Sequence, residues 1–189
     1  MARDAEVAVT AADNNEPTIA TRSIFQGRII EVRVDTIRLP NGRETTREIV
    51  DHDPSICVVP VDEDNNVLLV RQYRKPTESF LLEVPAGGIE EGETPEEATR
   101  RELQEEIGHT AGRLTELTAF WLAPGWCSEY MYAYLATDLT PAVLDADDDE
   151  FIEVVGVPLA EIPGKISGGE IQDAKSVASL LLAMRVLEG

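Results

Sequence analysis

Apolar and polar residues alternate through two stretches near the start of the chain. The stretches read SIFQGRIIEVRVDTIRLP and RETTREIV, and the turn signal Pro40-Asn41-Gly42 lies between them. Because a period of two is typical of strands with one buried face, residues 21–52 are predicted to form a small antiparallel sheet. Residues 1–20 show neither strand nor helix periodicity and are predicted to be a disordered tail.

Longer apolar runs predict that residues 53–189 form one domain. ICVVPV and NVLLVRQYR, joined by the turn DEDNN, are expected to form a hairpin of central strands. LTELTAFWLAP, EYMYAYLATDL and FIEVVGVPL predict three further strands. A helix is predicted over residues 173–187, with a core stripe of Val177, Leu180, Leu181, Met184 and Leu187. Strands and helices mixed in this order predict a layered α+β domain.

A second helix is predicted between residues 94 and 108. Thr94 can cap its start, Pro95 suits its first position and Glu97 can complete a capping box. Gly108 is a typical stop signal. The bounds of this helix therefore follow from the sequence.

The acidic residues of this helix adjoin its apolar stripe. At 100° per residue, the stripe comprises Thr99, Leu103 and Ile107, and next to it lie Glu102, Glu105 and Glu106. Two partly buried carboxylates about 4 Å apart repel each other by about 4 kcal/mol at an effective dielectric constant of about 20. A divalent cation relieves that repulsion, and oxygen ligands suit magnesium or manganese. The alternative is a solvated acidic face, where like charges cost only about 0.2–0.5 kcal/mol.

Composition limits the partners and the compartment. The net charge of −20 disfavours binding to nucleic acids or anionic membranes, because phosphate surfaces would be repelled. Two cysteines form no disulfide framework and are predicted to be reduced thiols. The start of the chain lacks a basic segment followed by an apolar run, and no apolar stretch approaches about 20 residues. A cytoplasmic protein is therefore expected.

The segment of residues 87–109 resembles the signature box of the Nudix hydrolases. The matching positions are Gly87, Glu93, Arg101, Glu102, Leu103, Glu105, Glu106 and Gly108. His109 departs from the pattern, which usually ends in an apolar residue. The resemblance implies an α/β/α sandwich with a mixed sheet, in addition to the N-terminal antiparallel sheet.

Three further features are similar to the ADP-ribose pyrophosphatase branch of that family. EVPAGG precedes the box, Pro124 lies fifteen positions beyond His109, and the strands before Asp53 resemble a sheet through which such enzymes dimerise, often by exchange. The resemblance therefore implies that the protein is a homodimer and that it acts on a small molecule, a nucleoside diphosphate sugar.

The resemblance also implies roles for individual residues. Glu102 and Glu106 would hold the metal, with Glu105 assisting and the carbonyl of Ala86 completing the site. Arg101 would pair with Glu93 and hold the box loop, although a helical pair of Glu97 with Arg101 is the alternative. The loop residue Glu150 would be the general base, with Asp148 and Asp149 as substitutes. Arg47 and Arg74 would bind the phosphates or the adenine end, whereas Trp126 and Phe25 remain unassigned.

The implied reaction is the magnesium-dependent hydrolysis of ADP-ribose to AMP and ribose 5-phosphate. Clustered cations would neutralise the anhydride and help to deprotonate water. A related nucleotide-sugar hydrolase, such as one acting on GDP-mannose, is the alternative enzyme. A non-catalytic Nudix module that senses a nucleotide is the alternative from another class, and it is disfavoured because such modules usually lose box glutamates.

Overall fold

The computed structural model describes residues 15–144 and 151–189, which divide into two compact units. Unit 1 comprises residues 15–52 and 123–128, and unit 2 comprises residues 53–122 and 129–189 as far as they are described. The sequence placed the boundary after residue 52 but did not predict that residues 123–128 belong with the N-terminal strands. Within the described ranges, no helix has the length and apolarity needed to cross a membrane.

Unit 1 is a three-stranded antiparallel sheet. Its strands are β1 (Thr18–Gln26), β2 (Ile30–Arg38) and β3 (Glu44–His52), in the order β1-β2-β3. Gly42, in the predicted turn, has a φ of +81°, a value that favours glycine. The predicted sheet is present, but β1 begins at Thr18, so the predicted tail over residues 1–20 extends too far.

Residues 123–128 add to the edge of β3. The Val50 N–H donates to the Trp126 carbonyl at 2.8 Å, and the Ser128 N–H donates to the Val50 carbonyl at 3.0 Å. At the opposite edge, every residue of β1 is exposed. The two edges of this sheet therefore differ: within the described residues, the β3 edge is paired with residues 123–128, whereas the β1 edge is uncovered.

Unit 2 contains two sheets. The first is mixed, in the order β7-β4-β9-β8, and comprises β4 (Ser55–Pro60), β7 (Ala86–Gly88), β8 (His109–Trp121) and β9 (Tyr130–Pro141). In it, β4 runs parallel to β9 and the other pairs are antiparallel. The second sheet is antiparallel, in the order β10-β5-β6, and comprises β5 (Asn66–Arg74), β6 (Ser79–Glu83) and β10 (Glu153–Pro158).

Helices cover both faces of the mixed sheet. The helices are α1 (Pro95–Glu106), α2 (Ile162–Ser167), which follows a 3-10 turn, and α3 (Ala174–Leu187). Successive residues of the fully buried β4 point to opposite sides. Val58 packs in one core cluster with Leu103 of α1, and Val59 packs in another with Leu180 of α3. The α/β/α arrangement with a mixed sheet and a separate antiparallel sheet is therefore confirmed.

Two details of the strand and helix predictions are wrong. β4 and β5 are joined by the expected turn, and each is central in its sheet, but they enter different sheets and do not form a hairpin. In α3, Leu181 and Leu187 are exposed, whereas the small residues Ser176 and Ser179 are buried. An apolar stripe alone therefore misplaced part of the buried face of α3.

Candidate active site

The start of α1 sets the orientation of the acidic residues. The Glu97 N–H donates to Thr94 Oγ1 at 3.3 Å, and the Thr94 N–H donates to Glu97 Oε2 at 2.8 Å. This confirms the predicted capping box. Gly108 has a φ of +68° and ends the helix as expected. With both ends fixed, Glu102 and Glu106 lie on the buried side, one turn apart.

The carboxylates of Glu102 and Glu106 pack against β7. A Cβ atom added to Gly87 would lie 1.8 Å from Glu102 Oε1, so only glycine leaves room for this carboxylate. Glu106 Oε2 accepts a hydrogen bond of 3.0 Å from the Ala86 N–H. The exposed fractions of Glu102 and Glu106 are only 8% and 5%. The present position of the Glu102 carboxylate thus depends on glycine at position 87, and the two carboxylates converge on the same short strand.

Arg101 joins the box loop to the helix. It donates to Glu93 through Nε at 2.9 Å and through Nη2 at 3.0 Å, and Nη2 also donates to the Gly88 carbonyl at 2.8 Å. Its Nη1 donates to Glu102 at 2.7 Å and to Glu105 at 2.9 Å. Arg101 therefore makes the expected pair with Glu93, whereas the alternative partner Glu97 is engaged by Thr94.

The ion pairs of Arg101 shift the pKa values of Glu93 and of Arg101 itself. The hydrogen bonds from Arg101 hold the pKa of Glu93 below its ordinary value despite partial burial. The pKa of Arg101 is raised, first by Glu93 and then by Glu102 and Glu105, against the opposing effect of burial. Through its ion pairs with Glu93, Glu102 and Glu105, Arg101 offsets part of the negative charge of the cluster.

The oxygen donors suit a hard divalent cation. Two buried carboxylates and the Ala86 backbone lie together, which is the ligand chemistry that magnesium and manganese prefer. No three acidic, histidine or cysteine side chains of the described residues are already arranged as metal ligands. Glu102 and Glu105 both accept a hydrogen bond from Arg101, so a cation bound through either carboxylate would have to share it with that contact.

Arg74, at the end of β5, belongs to a second cluster that sequence reasoning did not identify. Its Nε and Nη2 donate to Glu83 at 3.1 Å and 2.8 Å, and Lys175 of α3 contacts the same carboxylate. The pKa of Arg74 is raised by Glu83 against the effect of burial, and more weakly by Glu106. A glutamate inside the apolar stretch LLEVP was the available signal for a buried charge.

The remaining predicted site residues lie in unit 1 or outside the described residues. Arg47 lies in unit 1, where its Nη2 donates to Glu16 at 2.6 Å. Glu150, Asp148 and Asp149 lie outside the described residues. Trp126 and Phe25, which received no role, are exposed residues of unit 1.

His109 begins β8 directly after α1. Its Nδ1 lies 2.7 Å from the Ile107 carbonyl, and its backbone pairs with Pro141 of β9. The unusual last position of the box is therefore accommodated by a hydrogen bond at the helix end.

A pocket of about 450 Å³ borders the box loop. Its lining residues are Asp53, Pro54, Ile89, Glu91, Glu93, Pro95 and Tyr132. Among these described residues there are three carboxylates and no arginine or lysine. The pocket is consequently a poor match for a pyrophosphate, which needs positive partners.

Comparison with known proteins agrees with the geometry. Residues 51–180 match the NUDIX domain, and residues 16–50 match the nucleoside diphosphate sugar hydrolase N-terminal domain. An ADP-ribose pyrophosphatase of Bacillus subtilis (strain 168) is 40% identical over 167 residues, which cover 87% of this chain and 90% of the relative. A methanol dehydrogenase activator of Bacillus methanolicus is 37% identical with the same coverage of both chains.

A solved structure is also similar to this chain over most of its length. The crystal structure of an ADP compounds hydrolase matches with a TM-score of 0.85 and 29% identity, covering 92% of this chain and 95% of the other. The NUDIX match spans well over half of the chain, and it contains the loop, helix and buried glutamates described above. This chain therefore belongs to the Nudix hydrolase family.

Proposed function

We propose that this Nudix hydrolase splits the pyrophosphate bond of ADP-ribose, giving AMP and ribose 5-phosphate, with magnesium as the cofactor. The observation that carries the proposal is the pair of buried carboxylates, Glu102 and Glu106, fixed against β7. The ADP-ribose pyrophosphatase of Bacillus subtilis, with 40% identity, supports the choice of substrate.

Each residue of the cluster has a definite part in this proposal. Glu102, Glu106 and the carbonyl of Ala86 would hold the cation, and Glu105 would assist through the oxygen that Arg101 does not engage. When bound, the cation supplies charge neutralisation at the anhydride and a more acidic water. Arg101 and Glu93 would keep the loop and helix in register without contacting the substrate, because the donors of Arg101 are already used.

The positive side chains would bind the substrate. Arg74 has N–H donors that Glu83 does not use. It also lies close enough to Glu106 for the charge of that carboxylate to raise the pKa of Arg74. A phosphate oxygen beside the metal carboxylates is therefore a suitable acceptor for Arg74. Arg47 would be a second positively charged side chain that binds the substrate, and it would then exchange its present partner Glu16 for the substrate.

Glu150 would be the general base. The box glutamates would be occupied as ligands, so a carboxylate from another segment is needed to accept the proton of water. For Glu150→Gln we expect a fall in kcat of more than about tenfold, with KM nearly unchanged. A smaller fall would count against this role, and Asp148→Asn and Asp149→Asn would then test the two substitutes.

We also propose that the protein is a homodimer in a reducing cytoplasm. All of β1 is exposed in the single chain, and Ile24 and Phe25 are 49% and 55% exposed. A long edge strand with large apolar residues is a typical surface for pairing with a second copy. Light scattering coupled to size-exclusion chromatography tests this arrangement, and a monomer at micromolar concentration would contradict it.

Turnover of a substrate panel tests the reaction itself. The purified protein with magnesium is offered ADP-ribose, GDP-mannose, NADH, diadenosine polyphosphates and deoxynucleoside triphosphates, and products are identified by chromatography. We expect ADP-ribose to have the highest kcat/KM and to yield AMP. If GDP-mannose is the better substrate, the reaction class stands and the substrate is wrong; if nothing is turned over, the catalytic proposal fails.

A further inference from the structure

Glu83 is a buried carboxylate held between two cations. Only 1% of it is exposed, and its oxygens accept two hydrogen bonds from Arg74 and one from Lys175. Burial raises the pKa of Glu83, but the contacts with Arg74 and Lys175 lower it by more, so that it lies below its ordinary value. Glu83 is therefore ionised, in a place where a lone charge would be very unfavourable.

The first turn of α3 carries the outer half of this cluster. Lys175 Nζ contacts Asp173 Oδ1 at 2.9 Å, and the same oxygen accepts the Ser176 N–H at 3.0 Å as the helix cap. Ser176 Oγ in turn accepts the Val84 N–H at 2.9 Å. The start of α3 is thus attached to the chain next to Glu83, just before Ala86.

The contact with Glu83 orients Arg74 and leaves part of its guanidinium available. A guanidinium has five N–H donors, and Glu83 takes one from Nε and one from Nη2. In the described structure, Nη1 of Arg74 makes no hydrogen bond, and 38% of the side chain is exposed. The edge that faces away from Glu83 can therefore bind an anion.

We propose that Glu83 and Lys175 are positioning residues for substrate binding. Glu83 fixes the guanidinium of Arg74, and Lys175 balances the charge of Glu83, so that the three side chains keep a net positive charge for a phosphate. The inference rests on the proposed function, since the role of Arg74 is part of that proposal. Neither Glu83 nor Lys175 needs to touch the substrate. Both act through Arg74.

The charges of the cluster explain the need for Lys175. If Glu83 had only Arg74 as a partner, the two charges would cancel beside the substrate. With Lys175 present, the three side chains together keep one net positive charge. The outer partner Asp173 also caps α3, so its negative charge is partly offset by the helix N-terminus. On a chain with a net charge of −20, such a preserved cation favours a phosphorylated substrate.

Steady-state kinetics of Lys175 variants test the inference. We expect Lys175→Met to raise the KM for ADP-ribose about tenfold with little change in kcat, because Arg74 is then neutralised by Glu83. Lys175→Arg, which keeps the charge, should recover most of the loss. Lys165→Met is the matched control, because Lys165 makes an exposed pair with Glu170. Equal effects of Lys175→Met and Lys165→Met, or no recovery by arginine, would overturn the proposal.

A double-mutant cycle separates positioning from simple support of the fold. Glu83→Gln and Lys175→Met should each weaken ADP binding about tenfold in the normal protein, but by less than about twofold when Arg74→Ala is also present. Calorimetric titration with ADP in the absence of metal measures this without turnover. Additive effects would overturn the inference, as would a normal protein that does not bind ADP. If Glu83→Gln fails to fold, the cycle with Lys175→Met decides.

This binding assay also separates the inference from the proposed function. Coupling between Lys175 and Arg74 in ADP binding, together with no hydrolysis of ADP-ribose, would contradict the proposed reaction and support the positioning role. Hydrolysis of ADP-ribose with additive effects would do the reverse.

Discussion

Arg101 and Arg74 are each held by a glutamate through two parallel hydrogen bonds, but they differ in what remains of the guanidinium. Arg101 makes five hydrogen bonds, which matches the number of its N–H donors, and its side chain is 19% exposed. Arg74 makes two, and its side chain is 38% exposed. A saturated arginine can hold structure together, whereas an unsaturated one can also bind an anion.

The two clusters also differ in how far apart their members lie in the sequence. The partners of Arg101 all come from the box, at most 13 residues away. The cluster around Arg74 includes Glu83 and Lys175, which are 92 residues apart. The first cluster is therefore a local clamp, and the second depends on the packing of α3 against the rest of unit 2.

The largest expected effect comes from a carboxylate outside the Arg101 clamp. Glu106 bonds to the Ala86 N–H and is not a partner of Arg101. For Glu106→Gln we expect kcat/KM to fall about 100-fold or more, because a buried metal ligand is lost, while the melting temperature is kept. Glu105→Gln, whose carboxylate is partly neutralised by Arg101, should cost about tenfold or less. Near-normal turnover of Glu106→Gln would remove the assignment of Glu106 as a ligand.

Exchanging each arginine for lysine tests the comparison directly. Arg101→Lys loses the planar fork and should lower the free energy of unfolding by about 2 kcal/mol, or the melting temperature by about 4–8 °C. Arg74→Lys should leave the melting temperature within about 2 °C, since Lys175 still neutralises Glu83, and should raise KM about tenfold. Thermal melts and steady-state kinetics measure both effects. If Arg74→Lys is as destabilising as Arg101→Lys, the distinction between clamp and anion binder is wrong.

Local signals explain which parts of this architecture were predictable. The capping box of Thr94 and Glu97, the stop at Gly108 and the pair of Glu93 with Arg101 all depend on residues within one loop and helix. The hairpin error has the opposite cause. An apolar run such as ICVVPV shows that a strand is buried, but not which strand lies beside it, and the parallel partner β9 comes about 75 residues later in the sequence.

The buried face of α3 and the partners of Glu83 could not be predicted, because they depend on packing and on residues far apart in the sequence. The face of α3 was misjudged because hydrophobicity favours Leu181, while the helix buries the smaller Ser176 and Ser179 where hydrogen bonds can satisfy them. The partners of Glu83 could not be predicted either, because no local spacing connects it to Lys175. Sequence reasoning therefore predicted that Glu102 and Glu106 adjoin the buried face of α1, but not the contacts of Glu83 and Lys175 that hold Arg74.

Two neighbouring glycines test how closely the clamp confines Glu102. A methyl group at Gly87 would overlap the Glu102 carboxylate, whereas one at Gly88 would meet nothing within 4 Å. Because the carboxylate is the flexible end of a side chain, Gly87→Ala should displace it without unfolding the protein. We expect kcat/KM to fall about fivefold to tenfold and more magnesium to be needed, with Gly88→Ala within about twofold of normal. Equal effects of the two substitutions would show that Glu102 is not confined by Gly87.

The smallest expected effect is the pH dependence of the clamp. The pKa of Glu93 lies below its ordinary value of 4.5, chiefly because of Arg101, so the unfolded chain takes up this proton before the folded one. The stability that Glu93 contributes is therefore fully present above about pH 5.5 and is lost as the pH falls through the folded pKa.

Thermal melts of Glu93→Gln across the acid range measure this loss. At pH 7 the free energy of unfolding of the variant should be lower than that of the normal protein by about 0.5–1 kcal/mol. This difference should shrink as the pH falls below 4.5. Glu91→Gln is the matched control, because Glu91 lies in the same loop and makes no hydrogen bond or ion pair in the described part of the chain. It should change the free energy of unfolding at pH 7 by less than about 0.5 kcal/mol. A difference for Glu93→Gln that grows in acid would mean that the folded protein prefers the protonated carboxyl. In that case the saturated clamp around Arg101 would not be ionic, and its contrast with Arg74 would disappear.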